Sequence, residues 1–420
     1  MTTVQIALRN VFRHKTRSLI TMSAIAFGCT AVIFVGGFFE DILYKMRESY
    51  IKAHTGHLQI YKQGFFEKGS GKPFEYLIDH PEQLIPLISS VDGVVAVTQR
   101  LQFAGLISTG DTTVSCFGQG VEPEREPAIR LAGHPETRKD LASLSGTVIE
   151  DGEPLDRRDP YGIIVGKGLA AGMDVAVGTN LVLLTHTVGG SINALDVTMK
   201  GSFFTSSKAF DDYAVRLPLS TAQQLLQTTA VQSLVVMLKK TEDTSRAKHA
   251  IERVLAAHHL DLELKTWDEL SDFYVKTKAF LERLFMILKF VVAIIVILSI
   301  YNTMNMAVLE RTSEIGTIMA LGTKRSGVLR LFLYEGAALG ILGGGLGLLV
   351  GSLLTLLVKR IGIPMPAPPG ATLSWLSEPI VVPSVLMFAF VLSVITALMS
   401  SCYPAYKASR LEIAEALRRV

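Results

Sequence analysis

The chain has 420 residues, 49% hydrophobic and only 19% charged, with a formal net charge of +3, against roughly 25% charged in typical globular chains. That balance excludes a disordered chain, a coiled coil and a disulfide-rich secreted module, and +3 is too small to point to nucleic acid. The apolar residues are gathered into blocks, and the blocks set the class.

Taken in chain order, residues 1–17 carry Arg9, Arg13, Lys15 and Arg17 and no acid. Leu19–Phe39 follows, 21 residues without a charge. A bilayer core of about 30 Å needs ~20 helical residues, so residues 18–40 are predicted as transmembrane helix 1. Ala24-Ile25-Ala26 mimics a signal-peptidase site, but the apolar run continues well beyond a 7–15-residue signal core, which predicts a retained anchor.

Residues 41–281 are predicted to form one large domain, extracytoplasmic and periplasmic. Asp41–Thr55 reads as a continuation of the helix, stopped by Gly56. Short apolar runs bounded by turn residues predict strands at His57–Tyr61, Val94–Val97, Val114–Gly118, Ile163–Val165, Leu181–Leu184, Tyr213–Leu217 and Leu234–Leu238. Helical stretches come between them at Pro81–Ser89, Lys167–Met173, Thr221–Thr228 and Ser245–Ala256. The mixture predicts an α+β domain in two lobes, with an insertion or excursion at Glu122–Asp159. Cys116 stands alone outside the spans, so the domain relies on its core rather than on a disulfide.

Three further blocks complete the chain: uncharged runs of 20 residues at Phe290–Leu309, 23 at Gly336–Val358 and 27 at Ile380–Tyr406. They predict transmembrane helices at 284–309, 331–358 and 380–406, with a loop at 310–330 and a tail at 407–420. The fold class is therefore an α-helical membrane protein with four transmembrane helices plus a large α+β extracytoplasmic domain between helices 1 and 2. Short basic flanks set orientation. Arg9 to Arg17, then Arg311, Lys324, Arg325 and Arg330, then Lys407, Arg410, Arg418 and Arg419 share one side, predicted cytoplasmic, with both termini there. Residues 41–280 sum to −5 and the remainder to +8.

Catalytic chemistry is not legible. Gly69-Ser70-Gly71-Lys72 has Phe66 where a phosphate loop needs glycine and Pro73 where it needs Ser or Thr. His54, His57, His258 and His259 have no acid or cysteine cluster to complete a metal site, so no metal and no cofactor are expected on this chain. Lys289 and Glu335, near span ends, are expected to snorkel. No relay of carboxylates or histidines crosses the bilayer, and energy is expected from elsewhere.

The loop Glu310-Arg311-Thr312-Ser313-Glu314-Ile315-Gly316-Thr317-Ile318-Met319-Ala320-Leu321-Gly322-Thr323-Lys324-Arg325 reads as a short helix. Glu314 favours its positive end, Gly322 is a natural C′ residue, and Lys324 and Arg325 follow the negative end. Ile315, Ile318 and Met319 share one face. Such a helix either lies on the membrane or docks into a partner's groove, and physics alone leaves both open.

This loop, with Glu335-Gly336 beyond it, resembles the signature of the FtsX/MacB/LolC–LolE superfamily of ABC-transporter permeases. Pro404-Ala405-Tyr406-Lys407 through Glu415-Ala416-Leu417-Arg418 resembles the family's closing motif, with Ile413 and Met319 departing from the usual proline and arginine. Ile6-Ala7-Leu8-Arg9-Asn10 and Arg13 resemble its amphipathic leading helix, with Val4, Leu8, Val11 and Phe12 on the apolar face. Thr55 to Ile60, and Gly201 with Asp211-Asp212-Tyr213, look nearest to the LolC/LolE lipoprotein-releasing branch.

The resemblance implies a non-enzymatic permease subunit of an ATP-hydrolysing complex. Its partners would be a separate ABC ATPase in two copies, which binds ATP and Mg, and a second permease chain, identical or LolC/LolE-like. It implies coupling to the ATPase through Glu310, Arg311, Glu314, Ile315, Ile318, Met319, Gly322, Lys324 and Arg325, with Ile315, Ile318 and Met319 as the docking face. It further implies mechanotransmission that extracts lipoproteins from the outer leaflet of the inner membrane, delivery to a periplasmic lipoprotein carrier, and a cavity lined by Phe34, Phe38, Phe39, Phe290 and Ile294. MacB-like efflux of a drug or peptide and FtsX-like activation of a cell-wall hydrolase are the alternatives.

Overall fold

The computed structural model describes residues 3–13, 15–69, 71–125, 129–131, 147–205, 207–366 and 375–411. The closing-motif residues beyond Leu411, Ser70, and the middle of the predicted excursion at Glu122–Asp159 lie outside them. The chain divides into two units, one of residues 1–43, 277–363 and 377–420 and one of 44–276 and 364–376.

The first unit is helical. It contains α1 (Thr3–Arg13), the first part of α2 (Lys15–Tyr50), most of α8 (Asp272–Glu310), α9 (Thr312–Ala320), α10 (Arg325–Ile361) and α11 (Pro383–Ser409). Four of these helices are long and apolar enough to cross a membrane. α2, α8 and α10 run to 36, 39 and 37 residues, beyond the uncharged blocks, because charged residues such as Glu40, Arg47 and Lys359 are compatible with helix once past the apolar layer.

The core of this unit gathers Ile25, Ile300, Met304, Phe332, Leu339 and Ala397 from α2, α8, α10 and α11. The glycines of α10 decide how closely its neighbours approach. A Cβ on Gly336 would lie 2.0 Å from Ser401 Oγ of α11, and one on Gly347 would lie 2.5 Å from Cys29 Cβ of α2. Gly340 and Gly344 face α11, Gly343 and Gly351 face α2, and Gly345 faces open space. α10 is therefore packed on two sides through small residues, the membrane solution to close helix contact.

The second unit is built on a mixed sheet of eleven strands among the described residues. These are β1 (Leu58–Lys62), β2 (Val94–Ser108), β3 (Thr113–Val121), β4 (Ile129–Leu131), β5 (Thr147–Gly152), β6 (Gly162–Gly166), β7 (Asn180–His186), β8 (Ile192–Phe204), β9 (Ala214–Pro218), β10 (Ser233–Leu238) and β11 (Leu262–Thr266). Their order is β11-β1-β10-β2-β3-β9-β6-β8-β5-β4, with β7 pairing β2 and β8. The β3/β9, β6/β8 and β4/β5 pairs are parallel.

Among the described residues four helices accompany the sheet, α3 (Pro81–Ser89), α4 (Lys167–Met173), α6 (Leu219–Leu226) and α7 (Thr244–Ala257), with one short turn, α5 (Lys208–Asp211). The sheet carries two separate apolar clusters. The larger is built around Leu58, Ile88, Leu101, Ile163, Leu225 and Ile251. The smaller consists of Val121, Ile149, Leu155, Ile164, Phe203 and Ala214. Two lobes thus mean two cores on one sheet.

All seven predicted strands appear, and the sheet adds four that apolar runs do not mark: β4, β5, β8 and β11. β8 alternates exposed and half-buried residues over its first half, and its Asp, Lys and Gly residues break the apolar run that marks a strand in sequence.

Candidate energy-coupling site

The site is assembled at the break between α8 and α10. α8 ends at Glu310, and Arg311 leaves the helical conformation at φ −106°, ψ 16°. The Thr312 hydroxyl donates to the Val308 and Leu309 carbonyls at 2.9 and 3.0 Å, satisfying acceptors that the end of α8 leaves open. α9 then runs to Ala320 and stops in a Schellman motif. Thr323 N–H donates to Ile318 O at 3.2 Å and Gly322 N–H to Met319 O at 3.0 Å. Gly322 has φ +97°, the left-handed turn expected of a C′ glycine.

Arg311 does not point to solvent. Its side chain is 7% exposed, and Nη1 donates to Glu335 Oε1 of α10 at 2.9 Å, with Glu335 itself 4% exposed. Asn10 of α1 donates to the same oxygen at 2.6 Å. Nε of Arg311 donates to Glu314 Oε2 at 3.2 Å, and the guanidinium lies 5.8 Å from the Phe332 ring centroid. Two half-exposed pairs extend the network, Arg13–Glu314 at 3.4 Å and Arg17–Glu310 at 3.0 Å. A buried pair of this kind is costly to break, because either partner left alone is an uncompensated charge.

Two expectations are corrected here. Glu335 does not snorkel. It turns inward because Arg311 and Asn10 supply charge and hydrogen bonds that replace water. Ile315 is not an outward docking residue. It is 4% exposed and belongs to the helical core, with Met319 packed against that core. Ile318 is half-buried, and the open face of the turn carries Ser313, Thr317, Ala320 and Leu321, the last 82% exposed. An apolar i, i+3, i+4 stripe marks the buried face of a helix, and here the unit's own core takes it. Gly322, Lys324 and Arg325 are exposed, and Glu310 and Glu314 are bound in ion pairs.

α1 departs in the same way. Ala7 and Val11 are buried and Phe12 is 60% exposed, while the side chains of Val4 and Leu8 lie outside the described set. Sequence reasoning missed the partnership of Asn10, Arg13 and Arg17 with this loop. The only signal was the spacing of basic residues, and Asn10 and Glu335 stand 325 residues apart.

The residues expected to line a cavity between spans of partner chains take both packed and exposed positions within one chain. Phe39 packs edge-on against Phe285 with ring centroids 5.6 Å apart, and Phe38 tilts against Phe39 at 6.2 Å. Phe34 is half-buried, whereas Phe290 and Ile294 are 67% and 40% exposed. A cavity of about 10 Å³, lined by Gly28, Cys29, Val292, Ala389 and Ser393 among others, contains none of them. Its volume is that of about one water. Lys289 lies 4.6 Å from the centroids of both Phe285 and Phe388.

In the outer domain, His57 is a structural residue. Its Nδ1 accepts the Leu238 N–H at 3.1 Å and its Nε2 lies 3.1 Å from the Thr241 hydroxyl. Burial lowers its pKa to about 4. Cys116 is buried, and burial raises its thiol to about 12, so it is held as an unreactive thiol.

Four membrane-length helices, a large mixed-sheet domain between the first two and an ion-paired loop helix define a multi-pass membrane protein with an extracytoplasmic domain. The MacB-like periplasmic core domain family matches residues 18–254, and the FtsX-like permease C-terminal family matches residues 286–413. The chain belongs to the FtsX/MacB superfamily of ABC-transporter permeases.

It is 26% identical to an uncharacterised ABC transporter permease of Methanocaldococcus jannaschii, over 99% of this chain and 97% of that one. It is 22% identical to the macrolide export ATP-binding/permease protein MacB of Acinetobacter baylyi, over 99% of this chain but 59% of MacB. The chain thus spans about three fifths of that MacB. The extracellular domain of the ABC-type transporter YknZ from Gram-positive bacteria aligns with 50% of this chain at a TM-score of 0.33 and 13% identity.

Proposed function

We propose that this chain is the membrane subunit of an ATP-driven mechanotransmission machine. A separate ABC ATPase, in two copies and binding ATP and Mg, docks from the cytoplasm against the α9 turn. Both termini lie on that side of the inner membrane and the sheet domain is periplasmic. The basic flanks of the helices support this orientation. A second permease chain, identical or related, completes the assembly.

The observation that carries the reading is the Arg311–Glu335–Asn10 network. It fastens the loop helix to α10 and α1, so a push on α9 moves packed helices instead of being absorbed by a slack loop. The docking surface is the exposed turn at Leu321, with Lys324 and Arg325 at its rim. Glu310, Arg311 and Glu314 hold that turn in place.

The work done outside is extraction of lipid-anchored protein from the outer leaflet and transfer to a periplasmic carrier. The likeness of Thr55–Ile60 and Gly201/Asp211–Tyr213 to the lipoprotein-releasing branch supports this reading. A second reading is export of a drug or peptide, favoured by similarity to macrolide exporters along nearly the whole chain.

Copurification of the complex separates the two. Acylated lipoprotein bound to the complex and stimulating its ATPase is the expected result. An assembled complex that carries an outer-membrane channel and no lipoprotein would transfer the assignment to export.

A further inference from the structure

α2 ends inside the second unit in a specific way. After Tyr50 the helix widens into one π turn, Ile51–Thr55, closed by the Gly56 N–H on Ile51 O at 2.7 Å. Terminal helix carbonyls lack partners within the helix. Here three consecutive ones receive side-chain donors from three different strands. Ala53 O accepts from Arg216 Nη2 of β9 at 2.9 Å, His54 O from Arg100 Nη1 of β2, and Thr55 O from Gln59 Nε2 of β1 at 2.7 Å.

Arg216 is fully buried and also donates to Gln119 of β3 at 3.2 Å and to Thr147 of β5. Phe203 and Phe210 flank its guanidinium, with centroids 5.2 and 5.7 Å away. Two buried cations at the negative end of a helix make charge-assisted bonds that also complement its dipole. π turns are rare and concentrate at functional positions.

At the start of α8 the Tyr274 N–H donates to Ser271 Oγ at 3.4 Å, the Val275 N–H to Ser271 O at 3.1 Å, and Trp267 lies edge-on to Tyr274 at 4.9 Å. Phe273 and Val275 are exposed, and Asp272 pairs with Lys276 at the surface. The end of α2 is fastened into several strands.

We infer that the end of α2 is the rigid joint through which displacement of the first membrane helix reaches the sheet, with Arg216, Arg100 and Gln59 as its positioning residues. This deepens the mechanotransmission reading and rests on it.

The test uses the full chain in nanodiscs with Arg100→Met, and Arg216→Lys as the milder change at the fully buried site. Amide exchange across residues 51–57 is expected to rise at least tenfold, with α6 and α7 unchanged. In the complex with its ATPase, a spin label at the exposed hairpin position Thr112→Cys, in a Cys402→Ser background, reports the distance between the two outer domains. Wild type should show a nucleotide-dependent shift, and Arg100→Met should lose it while retaining the ATPase.

Unchanged exchange at 51–57, exchange rising across the whole sheet, or a preserved shift despite local loosening would each overturn the joint. A wild-type complex with no nucleotide-dependent shift would instead overturn mechanotransmission. Exchange on the chain alone would still decide whether the arginines clamp the helix.

Discussion

Removing Arg311 should be the most informative single perturbation. In Arg311→Met the apolar stem is kept against Phe332, and Glu335, 4% exposed, loses its cationic partner while Asn10 continues to donate. Stranding one member of a buried ion pair costs about 3–5 kcal/mol. One retained hydrogen bond to a charged group offsets about 1.5–3 kcal/mol of such a loss, so a net destabilisation of roughly 1–3 kcal/mol is expected.

Glu335→Gln strands Arg311 in turn, although Glu314 still pairs with it. The double variant should then be more stable than the sum of the single changes, with a coupling of roughly 1–3 kcal/mol. The assay is thermal unfolding of the detergent-solubilised full chain across the four members of this cycle, followed by retention of the ATPase. Strict additivity, with coupling below about 0.5 kcal/mol, would refute the argument that this pair fastens the loop helix.

Further outcomes follow from other contacts. Leu321→Glu, at a side chain 82% exposed, should abolish ATPase copurification while leaving the unfolding midpoint unchanged. An unchanged complex would remove the turn from the interface. Gly336→Ala should cost about 1–3 kcal/mol by overpacking, since its Cβ would meet Ser401 Oγ at 2.0 Å. Ser401→Gly in the same chain should restore the unfolding midpoint.

His57 predicts a pH dependence in the outer domain. Its folded pKa of about 4 lies below the ordinary 6.5, so the unfolded chain binds the proton first. Stability is full above pH 6.5 and falls as pH drops from 6.5 towards 4, by up to about 3 kcal/mol. His57→Asn should flatten that slope in exchange measured at several pH values. Gly56→Ala should destabilise the domain, because φ is +65° and a Cβ would lie 2.4 Å from Val235 Cγ1. Circular dichroism melting reads the loss.

The sequence by itself determined the class. Charge-free blocks are local properties, and local hydropathy is enough to find helices that cross a bilayer. The loop motif also fixed one helix end, since Gly322 at C′ depends only on its own backbone. Apolar runs located β1, β6 and β10, whose residues are almost all buried and read as continuous stretches.

Tertiary structure decided what faces what. Ile315 and Met319 read equally well as a docking stripe or as a core stripe, and only the neighbouring α1, α8 and α10 settle that the core takes them. Glu335 looked like a span-end carboxylate because its partners lie 24 and 325 residues away. Arg216 sits in a strand of five buried residues, and nothing near it in sequence announces the carbonyl of Ala53 or the side chains of Gln119 in β3 and Thr147 in β5 that it meets. Periodicity reports which face of an element is apolar. It carries no information about the distant group that a buried charge will meet, and only the tertiary fold decides that pairing.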